Sequence, residues 1–188
     1  IFGDDAKIEN SGNRGTVHSA EIGKDVAVVP DTAKAANVGG VVGKIDTQKA
    51  ADINHVKQQE NNAYVNANVA NSYNTGDVQG YTGVGGVAGM MYNGSIAGSY
   101  NLGTVNTTRQ VDNSGGDIID PLNMGGVVGD TTEQTDASAV LYDVYNAGQI
   151  GDETYKYFAR HVGGIAGRLS GYIEKAYNTG NIYNYDTT

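Results

Sequence analysis

The chain has 188 residues, a formal charge of −9, 28 Gly, 13 Tyr, 2 Pro, and neither Cys nor Trp. An acidic chain repels phosphate backbones and anionic lipid surfaces, so nucleic acid is a poor candidate partner and membrane insertion is not expected. The lack of Cys removes disulfides, zinc–thiolate sites and a Cys nucleophile, and no apolar run approaches the roughly 18 residues that span a bilayer.

Gly occurs at roughly twice its usual frequency while Pro is scarce, and the Gly recur beside Val and Ile, which predicts short strands joined by tight turns. The start, Ile1-Phe2-Gly3-Asp4-Asp5, resembles no signal peptide and has no initiator Met, so the sequence reads as a fragment of a longer chain. It reads as a single domain, 1–188.

Two motifs alternate along it. The first is Val38-Gly39-Gly40-Val41-Val42-Gly43, repeated at 84–89, at 124–129 (with Met124 leading) and as Val162-Gly163-Gly164-Ile165-Ala166-Gly167. The second is Tyr-Asn-x-Gly-x-Val/Ile, beginning at Tyr73, Tyr100, Tyr145 and Tyr177. A degenerate copy is read at Asn10-Ser11-Gly12, with Glu9 in place of Tyr.

In chain order, the segment 31–71 departs from this pattern. Ala33 to Ala36 and Ala50 to Lys57 have mild helical character, and 49–61 is expected to form a short helix on an insert. The shortest unit, Tyr73 to Tyr100, holds three β-like pieces, around Val78, from Val84 to Ala88 and from Ser95 to Tyr100, enough for one triangular coil. Later units carry inserts at 107–121, 131–138 and 151–160, which are expected to leave the coils at their corners.

The repeats predict an all-β fold: a right-handed parallel β-helix with inserted loops and at most one short helix. One coil cannot bury its apolar side chains alone, and stacking sets like residue on like. Val41, Val87, Val127 and Ile165 are expected to form an apolar ladder. Val42, Ala88, Val128 and Ala166, one residue on, are expected to face the other way. Asn74, Asn101, Asn146 and Asn178 should bond coil to coil, beside a parallel stack of Tyr73, Tyr100, Tyr145 and Tyr177. The end of the last copy, 183–186, has no cap, so an adjacent segment of the same protein is expected to cover it.

The pattern Val-Gly-Gly-Val-x-Gly, then Ile-x-x-Ser-Tyr-Asn-x-Gly-x-Val, resembles the GLUG motif. Val84 to Val105 carries it best, and Ile173 to Gly180 nearly as well. The long inserts and poor first copy depart from it. The resemblance covers most of the chain and implies a β-solenoid in a bacterial surface or secreted protein, such as an adhesin or the non-catalytic part of a surface peptidase. Expected partners are then host or bacterial surface glycans or proteins.

The residues that could carry chemistry are few. His18, His55 and His161 lack the His-Glu-x-x-His spacing of a zinc peptidase. A polysaccharide-cleaving site would need paired carboxylates, for which Asp77, Asp117, Asp120, Asp130, Asp143 and Glu174 are candidates. With 21 acidic residues in the chain, however, neighbouring carboxylates arise without purpose. No catalytic residue and no cofactor is expected. The Asx-rich segment 112–120 offers oxygen ligands that suit calcium, against the plainer reading of a solvated turn. Gly85-Gly86-x-x-Gly89 recurs four times before strand-like residues, which argues against a phosphate loop. Tyr155, Tyr157 and Phe158, on the last insert, are the candidate binding residues, because exposed aromatics suit sugar stacking and protein recognition. The expected function is a non-enzymatic surface adhesin segment; a β-helical polysaccharide-active enzyme is the alternative.

Overall fold

A computed structural model describes residues 1–18, 36–107, 123–131, 138–153 and 159–184. These residues are all-β apart from one helical turn, and the repeats lie as successive layers joined by parallel pairing. The first layer contains β1 (Ile8–Glu9), β2 (Gly12–Asn13) and β3 (Val17–His18). The second contains β4 (Ala36–Gly39) and β5 (Val42–Asp46), then an insert with α1 (Ile53–Val56), β6 (Gln59–Glu60) and β7 (Ala63–Tyr64). It ends in β8 (Val69–Ala70), β9 (Tyr73–Asn74) and β10 (Val78–Gly80).

The third layer has no insert among its strands: β11 (Thr82–Gly85), β12 (Ala88–Tyr92), β13 (Ser95–Ala97), β14 (Tyr100–Asn101) and β15 (Val105–Thr107). The fourth has β16 (Asn123–Gly125), β17 (Val128–Asp130), β18 (Ala139–Asn146) and a bridge residue, Ile150. The fifth has β19 (His161–Gly163), β20 (Ala166–Arg168), β21 (Gly171–Asn178) and Ile182.

Register follows motif identity. Val38, Val84, Met124 and Val162 pair in one column, and Tyr73, Tyr100, Tyr145 and Tyr177 in another. Ile8, Val69, Ile96, Leu141 and Ile173 form a third, and Val17, Val78, Val105, Ile150 and Ile182 a fourth. The middle rungs of these apolar columns are fully buried.

Three sequence expectations need correction. The first repeat lies three residues later than read: Gly12 pairs with Tyr73 and Asn13 with Asn74, so Gly12, not Glu9, stands at the Tyr position. Gly15-Thr16-Val17 completes that copy, and Val17 is its Gly-x-Val rung; Asn10 lies instead in a left-handed bend at φ 50°. Secondly, the third layer has more than three pieces. The Gly pair breaks 84–88, and a left-handed residue, Gly98, breaks 95–101.

Thirdly, Val87 and Ala88 do not face opposite ways. The strand is interrupted at 86–87, and both N–H groups donate to the Val127 carbonyl at 2.9 Å, as those of Val41 and Val42 do to Val87 at 3.0 Å. Alternation fails at that corner, and both residues enter the same core with Ile96, Val127, Val128 and Leu141.

The two motifs are adjacent across the interior, which explains their alternation. The Asn side chains lie where the second Gly of each pair has no side chain: a Cβ on Gly86 would stand 2.2 Å from Asn101 Cγ, and one on Gly126 2.4 Å from Asn146 Cγ. The insert packs on the outer face of the stack. Val56, Tyr64 and Ala67 bury Ala70, Ala97, Val140 and Tyr142 as a separate core. Within the expected helical region 49–61 only one turn forms, Ile53–Val56, capped by the Asp52 carboxylate accepting from Asn54 N at 2.9 Å. The rest is a hairpin, β6–β7, turned by Asn61 and Asn62, both at positive φ, the pattern of a type I′ turn.

Candidate functional site

The Tyr column stands on the outer surface. Its rings stack nearly parallel, with centroids 5.5, 4.9 and 5.1 Å apart from Tyr73 to Tyr177. Burial, then the neighbouring hydroxyls of Tyr100 and Tyr177, push the Tyr145 hydroxyl above its ordinary pKa. Because each inner face is occupied by the next ring, the column offers edges and hydroxyls to solvent, with a stacking face only at its last ring, Tyr177. The outer face of Tyr73 is taken by Arg14, whose guanidinium lies 5.8 Å from the ring centroid. Behind the rings runs the Asn ladder. Asn13, Asn74, Asn101 and Asn146 each donate from Nδ2 to the Oδ1 of the next Asn at 2.7–2.8 Å. Each also donates to the carbonyl two residues on, from Gly15 to Gly148, at 2.6–2.8 Å.

A cleft of about 440 Å³ opens between residues 4–7, the loop 47–52, α1 and the loop 66–68. Residues 1–3 run beside β5, with Gly3 N donating to Asp46 O at 3.1 Å and Asp46 N to Ile1 O at 3.0 Å. This places Asp4, Asp5 and Lys7 on one wall, facing Lys49, Asp52 and His55. Much of the polar lining is engaged in holding the walls together. Asp4 accepts from Gln48 N and Lys49 N at 2.8 and 3.1 Å, and Lys7 donates to the Val65 carbonyl. Asn66 donates to Gln58, and Asn68 to the Ala6 carbonyl. The sequence reading missed this cleft, since its lining comes from separate stretches of chain with no shared motif.

A second cluster lies where the insert meets β18 and β21. Tyr64 donates to Asp143 Oδ2 at 2.8 Å and meets Tyr142 edge to face. Lys57 and Lys175 lie over the Tyr142 ring, and Lys57 pairs with Glu174 at 2.6 Å. Burial and the Asp143 carboxylate push the Tyr64 hydroxyl far above the ordinary tyrosine value. Contact with the Tyr142 hydroxyl is the leading cause that raises Lys175.

Of the described sequence-predicted carboxylates, two share one cluster and the others stand apart. Asp143 and Glu174 belong to that cluster. Asp77 accepts from Thr104 N at 3.0 Å, and Asp130, buried, is gripped by Arg168 at 2.9 and 3.1 Å and by Asn123 at 2.5 Å. Asn123 contacts His161 Nδ1 at 2.7 Å, while His18 lies on β3 and His55 on α1, so the histidines are not brought together. Among the described residues no group of three His, Asp or Glu side chains converges as a metal site. No described helix is long and apolar enough to cross a membrane. Asp117 and Asp120, the calcium-suited segment 112–120, and Tyr155, Tyr157 and Phe158 lie outside the described residues. No protein-family model matches the chain, and no curated protein or solved structure matches it.

Proposed function

We propose that this chain is a right-handed parallel β-helix forming a segment of a bacterial cell-surface or secreted adhesin. It serves as a rigid spacer, with its inserts and cleft as the places that contact glycans or proteins of a host or neighbouring cell. The observation that carries this reading is the uninterrupted Asn ladder from Asn13 to Asn178: the same polar side chain is spent, layer after layer, on joining one repeat to the next. Each added layer extends such a stack by about 4.8 Å, so length is what repetition supplies. The sequence resemblance to GLUG repeats supports the surface assignment. The non-enzymatic reading rests on the described carboxylates, which lie on different columns and bond to structural partners.

The test is a broad glycan and host-protein array probed with the purified chain, in calcium and in chelator. Specific binding that is lost on replacing Tyr155 and Tyr157 would place recognition on the last insert. Loss on Asp5→Ala with His55→Ala would place it in the cleft. No binding in either condition leaves the spacer role alone. Release of reducing ends from any array polysaccharide would sink the non-enzymatic reading.

A further inference from the structure

The two ends of the stack are built differently. At the amino-terminal end the Tyr position holds Gly12, where a Cβ would lie 2.2 Å from Tyr73 Cζ. Arg14 closes the column there, donating to the Tyr73 hydroxyl from Nε at 3.1 Å and from a terminal nitrogen at 2.9 Å. At the other end nothing equivalent is present among the described residues. Tyr177 stacks on Tyr145 on one side and is 56% exposed. Ile173 and Ile182 are 39% and 46% exposed, although the preceding rungs of their columns, Leu141 and Ile150, are fully buried. The exposed apolar surface is therefore the cross-section of the core itself, not a scattering of surface residues.

The polar groups of that end point the same way. Gly40, Gly86 and Gly126 each donate N–H to the next layer, as do Val41, Val87 and Val127, and Val17, Val78, Val105 and Ile150 do so in their column. Among the described residues the corresponding donors of the last layer, on Gly164, Ile165 and Ile182, meet no acceptor. Asn178 accepts from Asn146 and donates to Gly180 O at 2.8 Å, which leaves one amide hydrogen where every earlier Asn bonds the next. The surface thus displays donors in the spacing of a repeat, beside an unstacked ring and half-covered aliphatic side chains.

We propose that this end is an acceptor surface for one further repeat, Val-Gly-Gly-Val-x-Gly followed by Tyr-Asn-x-Gly-x-Val/Ile, added parallel and in register on β19–β21. The established interface between layers, repeated along the whole stack, defines what fits. Carbonyl oxygens must meet Gly164, Ile165 and Ile182, an Asn Oδ1 must meet Asn178, and an aromatic ring must cover Tyr177. A Gly is required two residues after that Asn, because a Cβ on Gly148 or Gly180 would stand 1.9 Å from the carbonyl oxygen of the Gly in the layer before. The amino-terminal end of a second copy fits poorly, since it brings Gly12 in place of the Tyr ring. The proposal rests on the stack and not on the adhesin reading, so the two fail independently.

The probe is a synthetic peptide of residues 81–107, titrated into the isotope-labelled 188-residue chain and followed by amide chemical shifts. Saturable shifts are expected at Gly164, Ile165, Ile182 and the Asn178 side-chain amide, with none at Gly12 and Asn13. A peptide carrying Gly103→Val should bind at least about tenfold more weakly. A second measurement removes dependence on peptide affinity. In a chain where 185–188 are replaced by a copy of 81–107, Ile182 takes the register of Val78, and its amide and that of Ile165 should gain protection from hydrogen exchange. The same extension with Gly103→Val should give none. Equal binding by both peptides, or an extension that leaves those amides unprotected, overturns the proposal. Head-to-tail association of the chain alone, with shifts at both ends, overturns the choice of occupant.

Discussion

At the scale of single residues, the polar interior is held by Asn side chains whose every bond is specified. Asn101 is fully buried, accepts from Asn74, and donates to Asn146 and Gly103 O. Asn101→Ala removes those bonds and leaves partners unsatisfied in the core, so a loss of about 2–4 kcal/mol in urea unfolding is expected, against less than about 1 kcal/mol for Asn13→Ala at the half-exposed first rung. Equal losses would mean that the ladder does not carry the stability of the middle layers. A second residue-level test concerns the left-handed bend before the Tyr column, occupied in successive layers by Asn10, Asn71, Gly98, Asp143 and Lys175. Asn, Asp and Gly tolerate that conformation; Lys175, at φ 53°, does not share their advantage. Lys175→Gly should stabilise by about 1 kcal/mol. Gly98→Ala should cost more than the same ~1–2 kcal/mol, because its Cβ would also stand 2.5 Å from Tyr64 Cδ2.

At the scale of elements, the insert is docked by its own small core and by the Tyr64–Asp143 hydrogen bond. The Tyr64 hydroxyl has a raised pKa in the folded chain, so the neutral form is favoured by folding. Its contribution is fully present below the unfolded tyrosine value near 10 and is lost as pH rises through that value toward the folded one. Urea midpoints at pH 9 and 11 should therefore fall less in Tyr64→Phe than in the parent chain, while at neutral pH the variant loses about 1 kcal/mol for the missing hydrogen bond. An equally steep alkaline fall in both would assign the titration to other tyrosines, such as Tyr145. The insert also shows where sequence reading stopped. Helical composition at 50–57 yields one turn, and Asn61 and Asn62, whose side chains tolerate positive φ, turn the rest into a hairpin.

At the scale of the whole molecule, the strands pair only with adjacent layers, and the second-layer insert alone bridges on to Asp143 and Glu174 among the described residues, so stability should be graded along the stack. Amides of β12–β14, covered on both sides, are expected to exchange most slowly, and those of β19–β21 fastest among the paired strands. Hydrogen exchange with mass spectrometry reads this directly; uniform protection would show that the layers unfold as one unit. The same gradient bears on the spacer role, because a stack that opens from its uncovered end is stiffest where it is covered.

Beyond the first copy, the repeats alone determined the stacking register, the Asn and Tyr ladders and the parallel all-β architecture. Identical residues at equivalent places can satisfy one another only when set in register, and that information is local to each copy. Tertiary structure decided the rest. Val87 and Ala88 share one core because a shared carbonyl bends the chain between them, which no period of two reveals. Two Asn-x-Gly runs compete for the first layer, and Asn13 prevails over Asn10 because only its run sets Val17 beside Val78. The cleft and the Asp130–Arg168 pair join segments distant in sequence, so they exist only once the layers have closed upon one another.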